Sequence, residues 1–243
     1  MFIVSRALFA PKDGNTADQY EDAFAFCESA LPNRFTVAVS DGASSAGYAR
    51  EWANRLAQSF ASDEPFPETA AFHARIVALG HEWRGAVSGG ATSWYAQEKL
   101  ASGSAATLLH VRFDADAQGL TASCVGDVCL FVVRNDRLRF GFPMTRAMAF
   151  GNHPDLLSTE EMGKRRPPAI ADISTGIEPG DRFFLCTDAL AQYFLSRFET
   201  RRERPWHNLP QAQAELGPWL AKERASGAMK NDDVTLIEIV YRP

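Results

Sequence analysis

The stretch "FTVAVSDGASSAG", residues 35–47, runs from a strand-forming segment into a carboxylate, a glycine and a series of small residues. Its first half is rich in β-branched and aromatic residues, which is typical of a strand, and Asp41 ends it abruptly. An Asp-Gly pair is a common way for a chain to leave a strand. It also suits a ligand site, because glycine and serine allow a bound group to approach the backbone closely. This stretch alone leaves both interpretations open.

The composition excludes several classes of protein. The chain has 243 residues, of which 46% are apolar and 23% charged, as expected for a globular protein with a substantial core. Its net charge of −5 argues against general binding to nucleic acid or to anionic membranes. No apolar window reaches the roughly 18 residues of a membrane span, and the first residues lack a signal-peptide core. We therefore expect a cytoplasmic protein. The four cysteines show neither a CxxC pair nor zinc-type spacing, so disulfides and structural zinc are not expected.

Strand-type and helix-type segments follow one another without strict βαβ alternation. This order favours an α+β fold with mostly antiparallel sheets over a doubly wound parallel one. Prolines recur between residues 141 and 180, and we predict a long excursion with little regular structure there. No linker and no internal repeat divides the chain, so we expect one domain over residues 1–243. Helices are predicted over about 48–61, 67–87, 189–198 and 209–225.

Acidic residues recur at the predicted strand boundaries. The start of one antiparallel strand lies beside the end of its neighbour, so these carboxylates are expected to meet on one rim of the sheets. Like charges that close repel one another, and a divalent metal is the natural compensation. Oxygen-only ligands favour Mg²⁺ or Mn²⁺ over Zn²⁺. Taken singly, each acid is better explained as a turn former or helix cap than as a metal ligand, and it is the recurrence of the pattern that favours a metal site. The residues concerned are Glu21, Asp22, Asp41, Asp127, Asp188, Asp232 and Asp233.

Six motifs cover nearly the whole chain in an order that resembles the metal-dependent Ser/Thr protein phosphatases of the 2C type, in their compact bacterial form. None of the six is specific alone, but the ordered set is. They are "YEDAF" (20–24), "VAVSDGASSAG" (37–47), "GSAATLL" (103–109), "ASCVGDVCLFVVRNDRL" (122–138), "IEPGDRFFLCTDAL" (177–190) and "NDDVTLIEI" (231–239).

The resemblance implies a four-layer αββα sandwich, in which two mostly antiparallel sheets face each other with helices outside. It also implies two Mn²⁺ or Mg²⁺ ions, with a third as an option. Asp41 would bridge the two ions, and Gly42 would offer its carbonyl to one of them. The other roles carried over are Asp188 and Asp232 as ligands of the second ion, Asp127 near a third, and Glu21 and Asp22 as catalytic residues that orient waters around the ions.

The activity implied is hydrolysis of phosphoserine or phosphothreonine in a protein by a water that the two ions activate. The implied partner is a phosphorylated protein whose phosphate is added by a Ser/Thr kinase. Two alternatives remain open at this point. One is a catalytically degenerate module that binds a phosphorylated partner, and the other is a phosphatase of a small phosphate ester.

The sequence departs from the family pattern where a cation would contact the substrate phosphate. Members commonly carry an arginine shortly before the Glu-Asp pair, and Ala17 stands near that place here. Ala43 stands where a histidine often follows the Asp-Gly, which leaves the general acid unassigned. Arg146, Lys164, Arg165 and Arg166 are the candidates to bind the phosphate instead, because a cation is needed there, and an equally good interpretation of these residues is that they are solvated surface charges. His153 is the histidine placed to approach the ions from a flap.

Overall fold

The structure is a computed structural model that describes residues 1–28, 33–62, 64–89, 94–151, 153–160 and 168–242; the side chains of residues 95 and 96 are not described. The strands, in chain order, are β1 (Phe2–Ala10), β2 (Ala23–Glu28), β3 (Arg34–Ser40), β4 (Ala105–Ala106), β5 (Leu108–Asp114), β6 (Gly119–Val125), β7 (Cys129–Arg134), β8 (Arg137–Phe142), β9 (Leu157–Ser158), β10 (Ala171–Gly176), β11 (Arg182–Cys186) and β12 (Val234–Tyr241). The α-helices are α1 (Ala49–Phe60), α2 (Thr69–Ser88), α3 (Trp94–Ala101), α4 (Asp188–Arg201) and α5 (Gln213–Ala225).

Two five-stranded sheets form the centre of the fold. One has the order β1-β12-β11-β7-β8, and the other has the order β10-β6-β5-β3-β2. Neighbouring strands pair antiparallel throughout both sheets as described. The short strands β4 and β9 form a separate antiparallel pair. The α+β class with antiparallel sheets is therefore confirmed.

Three apolar clusters show that the layers stack helix, sheet, sheet, helix. Between the sheets, side chains such as Val37, Val111 and Ile237 pack against one another. On the outer face of the β3 sheet, α1 and α2 bury Trp52 and other side chains. On the outer face of the β12 sheet, α4 and α5 bury Phe194 and its neighbours. Strands β3, β11 and β12, which adjoin predicted site residues, are thus buried on both faces along nearly their whole length.

Local sequence explains why the elements before the site form. The segment of β3 is β-branched or aromatic at most positions and is buried from residue 35 to residue 40. Helix α1 buries Trp52, Ala53, Leu56 and Phe60, which recur at the i, i+3, i+4 spacing of one helical face. The predicted helix over about 48–61 is confirmed.

The prediction for residues 141–180 was wrong in part, because β9 and β10 lie within it. Strand β10 pairs with β6 along its whole length, although it sits at the sheet edge. Its sequence, "ADISTG", is poor in strand formers, and every second residue is exposed. The last helix was also predicted too long, since α5 begins at Gln213 and not near Leu209. Pro210 restricts the backbone of Leu209 and disfavours a helical start there.

Among the described residues, no helix has the length and apolar character needed to cross a membrane.

Candidate metal centre

The register of the sheets brings the predicted acidic residues to one rim. Ala23 at the start of β2 lies opposite Ser40 at the end of β3, so Asp22 and Asp41 are adjacent across the pair. Leu108 at the start of β5 lies opposite Val125 at the end of β6, two residues before Asp127. In the other sheet, Cys186 of β11 lies opposite Leu236 of β12. That pairing places Asp188 and Asp232 together, because each stands just outside its strand.

A cavity of about 400 Å³ opens at this rim. All five residues predicted as metal ligands line it. The described lining comprises Asp41, Gly42, Ala43, Ser44, Ser45, Thr107, Asp127, Gly151, His153, Pro154, Leu156, Asp188, Lys230 and Asp232. The structure therefore gathers into one wall residues that lie as far apart as positions 41 and 232 in the chain.

The loop after β3 is held in place by the "SAAT" segment. The Asp41 amide donates to Thr107 Oγ1 at 3.0 Å, and the Thr107 amide donates to the Asp41 carbonyl at 2.9 Å. The Ser40 hydroxyl donates to the Thr107 carbonyl at 2.6 Å. Gly42 is required by close packing, since a Cβ there would come within 2.6 Å of the Glu21 carbonyl oxygen. These contacts fix the direction in which the Asp41 side chain leaves the strand.

Asp22 lies beneath the cavity, fully covered by protein. Thr235 Oγ1 donates to Asp22 Oδ2 at 2.8 Å, and Tyr20 lies behind that threonine with its hydroxyl 2.5 Å from Thr235 Oγ1. The other oxygen, Asp22 Oδ1, is buried without a hydrogen-bond partner. Burying a carboxylate oxygen without a hydrogen-bond partner costs free energy. The unpaired oxygen is therefore a candidate to bind a cation or a water molecule.

Burial and mutual repulsion dominate the electrostatics of the rim. Burial, followed by the charges of Asp22 and Asp188, raises the pKa of Asp41 well above its usual range. Burial also raises the pKa of Asp22, and it raises that of Asp127 to about 6. These carboxylates resist ionising together unless positive charge is supplied.

Lys230 supplies one such charge, and the sequence analysis missed it. Its ammonium donates a hydrogen bond to Asp188 Oδ2 and lies 3.2 Å from Asp232 Oδ2. Burial lowers the pKa of this ammonium, but Asp188 and Asp232 outweigh that effect and raise it overall, so the group stays charged. The only available signal was its position two residues before Asp232, because the contact with Asp188 spans 42 residues of chain.

Glu21 takes a different position from Asp22. Its carboxylate lies 3.8 Å from Lys12 Nζ, which itself donates to Ser44 Oγ at 2.9 Å. Glu21 and Lys12 line a neighbouring pocket, and Ser44 lines both that pocket and the main cavity. Asp233 holds Lys12 and Glu21 in place, since its two oxygens accept hydrogen bonds from the Lys12 amide at 2.8 Å and from the Glu21 amide at 2.6 Å. These contacts give Asp233 a structural role.

Of the cations considered for phosphate contact, only Arg146 belongs to the part of the chain that the structure describes. Arg146 precedes a short 3₁₀ helix and is not among the lining residues. The basic residues at 164–166 lie outside the described residues. Lys230 is the one lysine or arginine among the described lining residues, and His153 is the one histidine there.

The donor set fits a hard divalent cation. The carboxylates of the rim offer oxygen atoms only, as Mg²⁺ and Mn²⁺ prefer, and Asp22 Oδ1 has no partner. These carboxylates line one cavity, but among the described residues no three His, Cys, Asp or Glu side chains are grouped closely enough to hold an ion as they stand.

Comparison with known proteins gives a family match and a set of similar folds. The profile described as protein phosphatase 2C matches residues 16–228. A search of curated proteins finds no match by sequence.

Three solved structures are similar over nearly their full length. The serine/threonine phosphatase PstP/Ppp of Mycobacterium tuberculosis is 15% identical, with 100% of this chain and 99% of that chain covered and a TM-score of 0.60. The PstP catalytic domain in complex with two manganese ions is 16% identical, covering 100% of both chains, with a TM-score of 0.57. RsbX in complex with magnesium is 19% identical, covering 99% of both chains, with a TM-score of 0.52.

Proposed function

The chain belongs to the protein phosphatase 2C family, and from that premise we propose that it is a metal-dependent phosphatase of phosphoserine and phosphothreonine in proteins. It is a phosphatase, and hence a hydrolase, by family. The metal requirement, the roles of individual residues and the substrate are the parts that we propose. The observation that carries them is the convergence of Asp41, Asp188 and Asp232 on one cavity.

The proposed ligand assignment follows from where the carboxylates stand. Burial, and then the negative charges of four acidic neighbours, raise the pKa of Asp41. A carboxylate at the centre of so much negative charge suits the ligand that two ions would share. Gly42 follows Asp41 in the chain and also lines the cavity. Its carbonyl is proposed as a further ligand of one ion. Asp188 and Asp232 would hold the second ion, and Asp127 would approach a third.

Two ions of Mn²⁺ or Mg²⁺ are proposed as cofactors. Support comes from the oxygen-only donors and from two of the similar structures, which are complexes with manganese and with magnesium. Bound divalent ions supply an activated water and offset negative charge on the phosphoryl oxygens.

Side chains around the cavity orient the carboxylates that are proposed to hold water there. Thr235 orients Asp22 through its hydroxyl, and Tyr20 orients Thr235 in turn. Asp22 is proposed to hold a water at the floor of the cavity through its unpartnered oxygen, and Glu21 is proposed to do so at the edge toward Lys12. The partner that this function implies is a phosphorylated protein whose phosphate a Ser/Thr kinase adds.

A hydrolysis assay tests the proposal. The chelator-treated chain should not hydrolyse an aryl phosphate until Mn²⁺ or Mg²⁺ is added, and Asp41→Asn should stay inactive with either ion. Asp116→Asn is the matched control, since Asp116 contacts Asn33 on the surface, away from the cavity. No hydrolysis of an aryl phosphate or of a phosphopeptide panel with either ion would contradict the proposal. Hydrolysis of small esters without phosphopeptides would redirect the substrate to a small phosphate ester.

A further inference from the structure

Lys230 contacts the two carboxylates that are proposed to bind the second divalent ion. Its ammonium is hydrogen-bonded to Asp188 and lies 3.2 Å from Asp232 Oδ2, which are the two carboxylates assigned to that ion alone. The same ammonium lines the cavity and is partly exposed, so its flexible side chain has room to move away.

An ammonium and a divalent ion cannot share these two carboxylates. Both cations need the same oxygen lone pairs, and like charges a few ångströms apart repel each other strongly near a protein surface. In this structure Asp188 and Asp232 are already paired with the lysine.

We infer that Lys230 sets the affinity for the second divalent ion, because the ion must displace its ammonium from Asp188 and Asp232. The inference rests on the proposed function, since it presupposes the metal centre. In the metal-free protein the lysine offsets part of the charge of the rim. On metal binding that offset is exchanged for the ion, and the cost of breaking the two ion pairs weakens the apparent affinity of the second site.

A purely structural salt bridge would behave differently. Removing such a bridge would lower the stability of the protein with and without metal by the same amount, and would leave the affinity of the folded protein for metal unchanged. Competition instead links the stability of the metal-free protein to its affinity for the ion. The stabilisation that Lys230 provides by pairing with the two ligands is lost when the ion binds.

The test is a calorimetric titration of the full, chelator-stripped chain with Mn²⁺, comparing wild type, Lys230→Gln and Lys230→Arg. We expect Lys230→Gln to bind the weaker Mn²⁺ at least about tenfold more tightly, because one competing charge is gone. Lys230→Arg keeps the charge and should stay within about threefold of wild type. Lys222→Gln on α5 is the matched control, since that lysine is exposed and is not among the described residues that line the cavity.

Thermal unfolding provides the second measurement. Metal-free Lys230→Gln should melt below wild type, and saturating Mn²⁺ should raise its melting temperature by more than it raises that of wild type. If Lys230→Gln unfolds without metal, the titration of Lys230→Arg against wild type and the metal-induced refolding of Lys230→Gln still decide the matter. Equal Mn²⁺ affinities of wild type and Lys230→Gln would overturn this inference and leave the metal centre standing. Failure of every variant to bind Mn²⁺ would overturn both.

Discussion

Buried carboxylates occur in two regions of this molecule, and they differ in where their positive charge comes from. Asp181, which is 0% exposed, is bound by Arg134 through two hydrogen bonds of 2.7 and 2.8 Å. Glu238, between β1 and β11, faces Arg6 and Arg182 at 2.6 and 2.7 Å. On the acidic rim, Asp22 and Asp41 have no arginine among the described contacts, and burial raises the pKa of both. The first region carries its own cations, whereas the second requires cations from solution.

The largest expected effect of this difference is on catalysis. Asp41→Asn and Asp188→Asn should each lower turnover by more than about a thousandfold, since each would remove a ligand of ions worth several kcal/mol to the transition state. Asp181→Asn, although more deeply buried, should retain turnover within about threefold once folded, because its partner is an arginine and not a reacting group. Steady-state hydrolysis of an aryl phosphate at saturating Mn²⁺ measures both. Comparable losses in the two regions would break the comparison.

Stability without metal should respond in the opposite direction. Asp181→Asn is expected to destabilise the chain by about 3 kcal/mol, because it removes the buried carboxylate that accepts hydrogen bonds from the Arg134 guanidinium and from the Glu178 amide. Asp22→Asn should stabilise the metal-free chain at pH 7.5, since burial and the charges of Asp233 and Asp188 oppose ionisation of the carboxylate, and the amide has no charge to lose. Urea unfolding in the presence of a chelator measures both values. A destabilised Asp22→Asn variant would show that this carboxylate is already compensated.

The rim should also make stability depend on pH. An aspartate whose pKa is raised in the folded state favours folding in its protonated form, so its contribution is lost as pH rises. For Asp127 the loss runs from near its unfolded value of 3.8 to its folded pKa of about 6, and the raised pKa of Asp41 acts in the same direction. The melting temperature of the metal-free chain should therefore fall as the pH rises from about 4 to about 6. Saturating Mn²⁺ should remove this slope, and Asp127→Asn should reduce it. A melting temperature that rises over the same interval would contradict the assignment.

The smallest expected effect separates two lysines at the site. Lys12 donates to Ser44 Oγ and lies 3.8 Å from Glu21, so it touches none of the carboxylates that line the cavity. Lys12→Met should cost less than about 1 kcal/mol, as expected for a partly exposed ion pair, and should leave the Mn²⁺ affinity unchanged. Denaturant unfolding and Mn²⁺ titration measure the two quantities. A change in metal affinity as large as that of Lys230→Gln would show that Lys12 also belongs to the metal centre.

The fold was predictable because its signals are local. Strand β3 and helix α1 each show their own periodicity, and the carboxylates stand at strand ends, where antiparallel pairing brings neighbours together. Edge strand β10 was not predictable in the same way, since its six residues alternate between partial and full exposure and carry little strand preference. Its structure depends on pairing with β6, which is a tertiary contact.

The site was predictable in its acids but not in its cations. Asp41, Asp127 and Asp188 each follow a strand closely, so their convergence follows from strand pairing within each sheet and from the stacking of the two sheets. Lys230 and Lys12 reach the site through long flexible side chains from segments without regular structure, and their contacts span 42 and 32 residues of chain. Nothing in their local sequence distinguishes them from solvated surface lysines.

Anomalous diffraction from crystals grown with Mn²⁺ tests the central claim most directly. The account predicts two strong manganese peaks within the cavity, with Asp41 as a ligand of both, Asp188 and Asp232 as ligands of one, and the Lys230 ammonium withdrawn from these two carboxylates. Manganese bound elsewhere, or a cavity that stays free of manganese at saturating concentration with Lys230 still between Asp188 and Asp232, would contradict it.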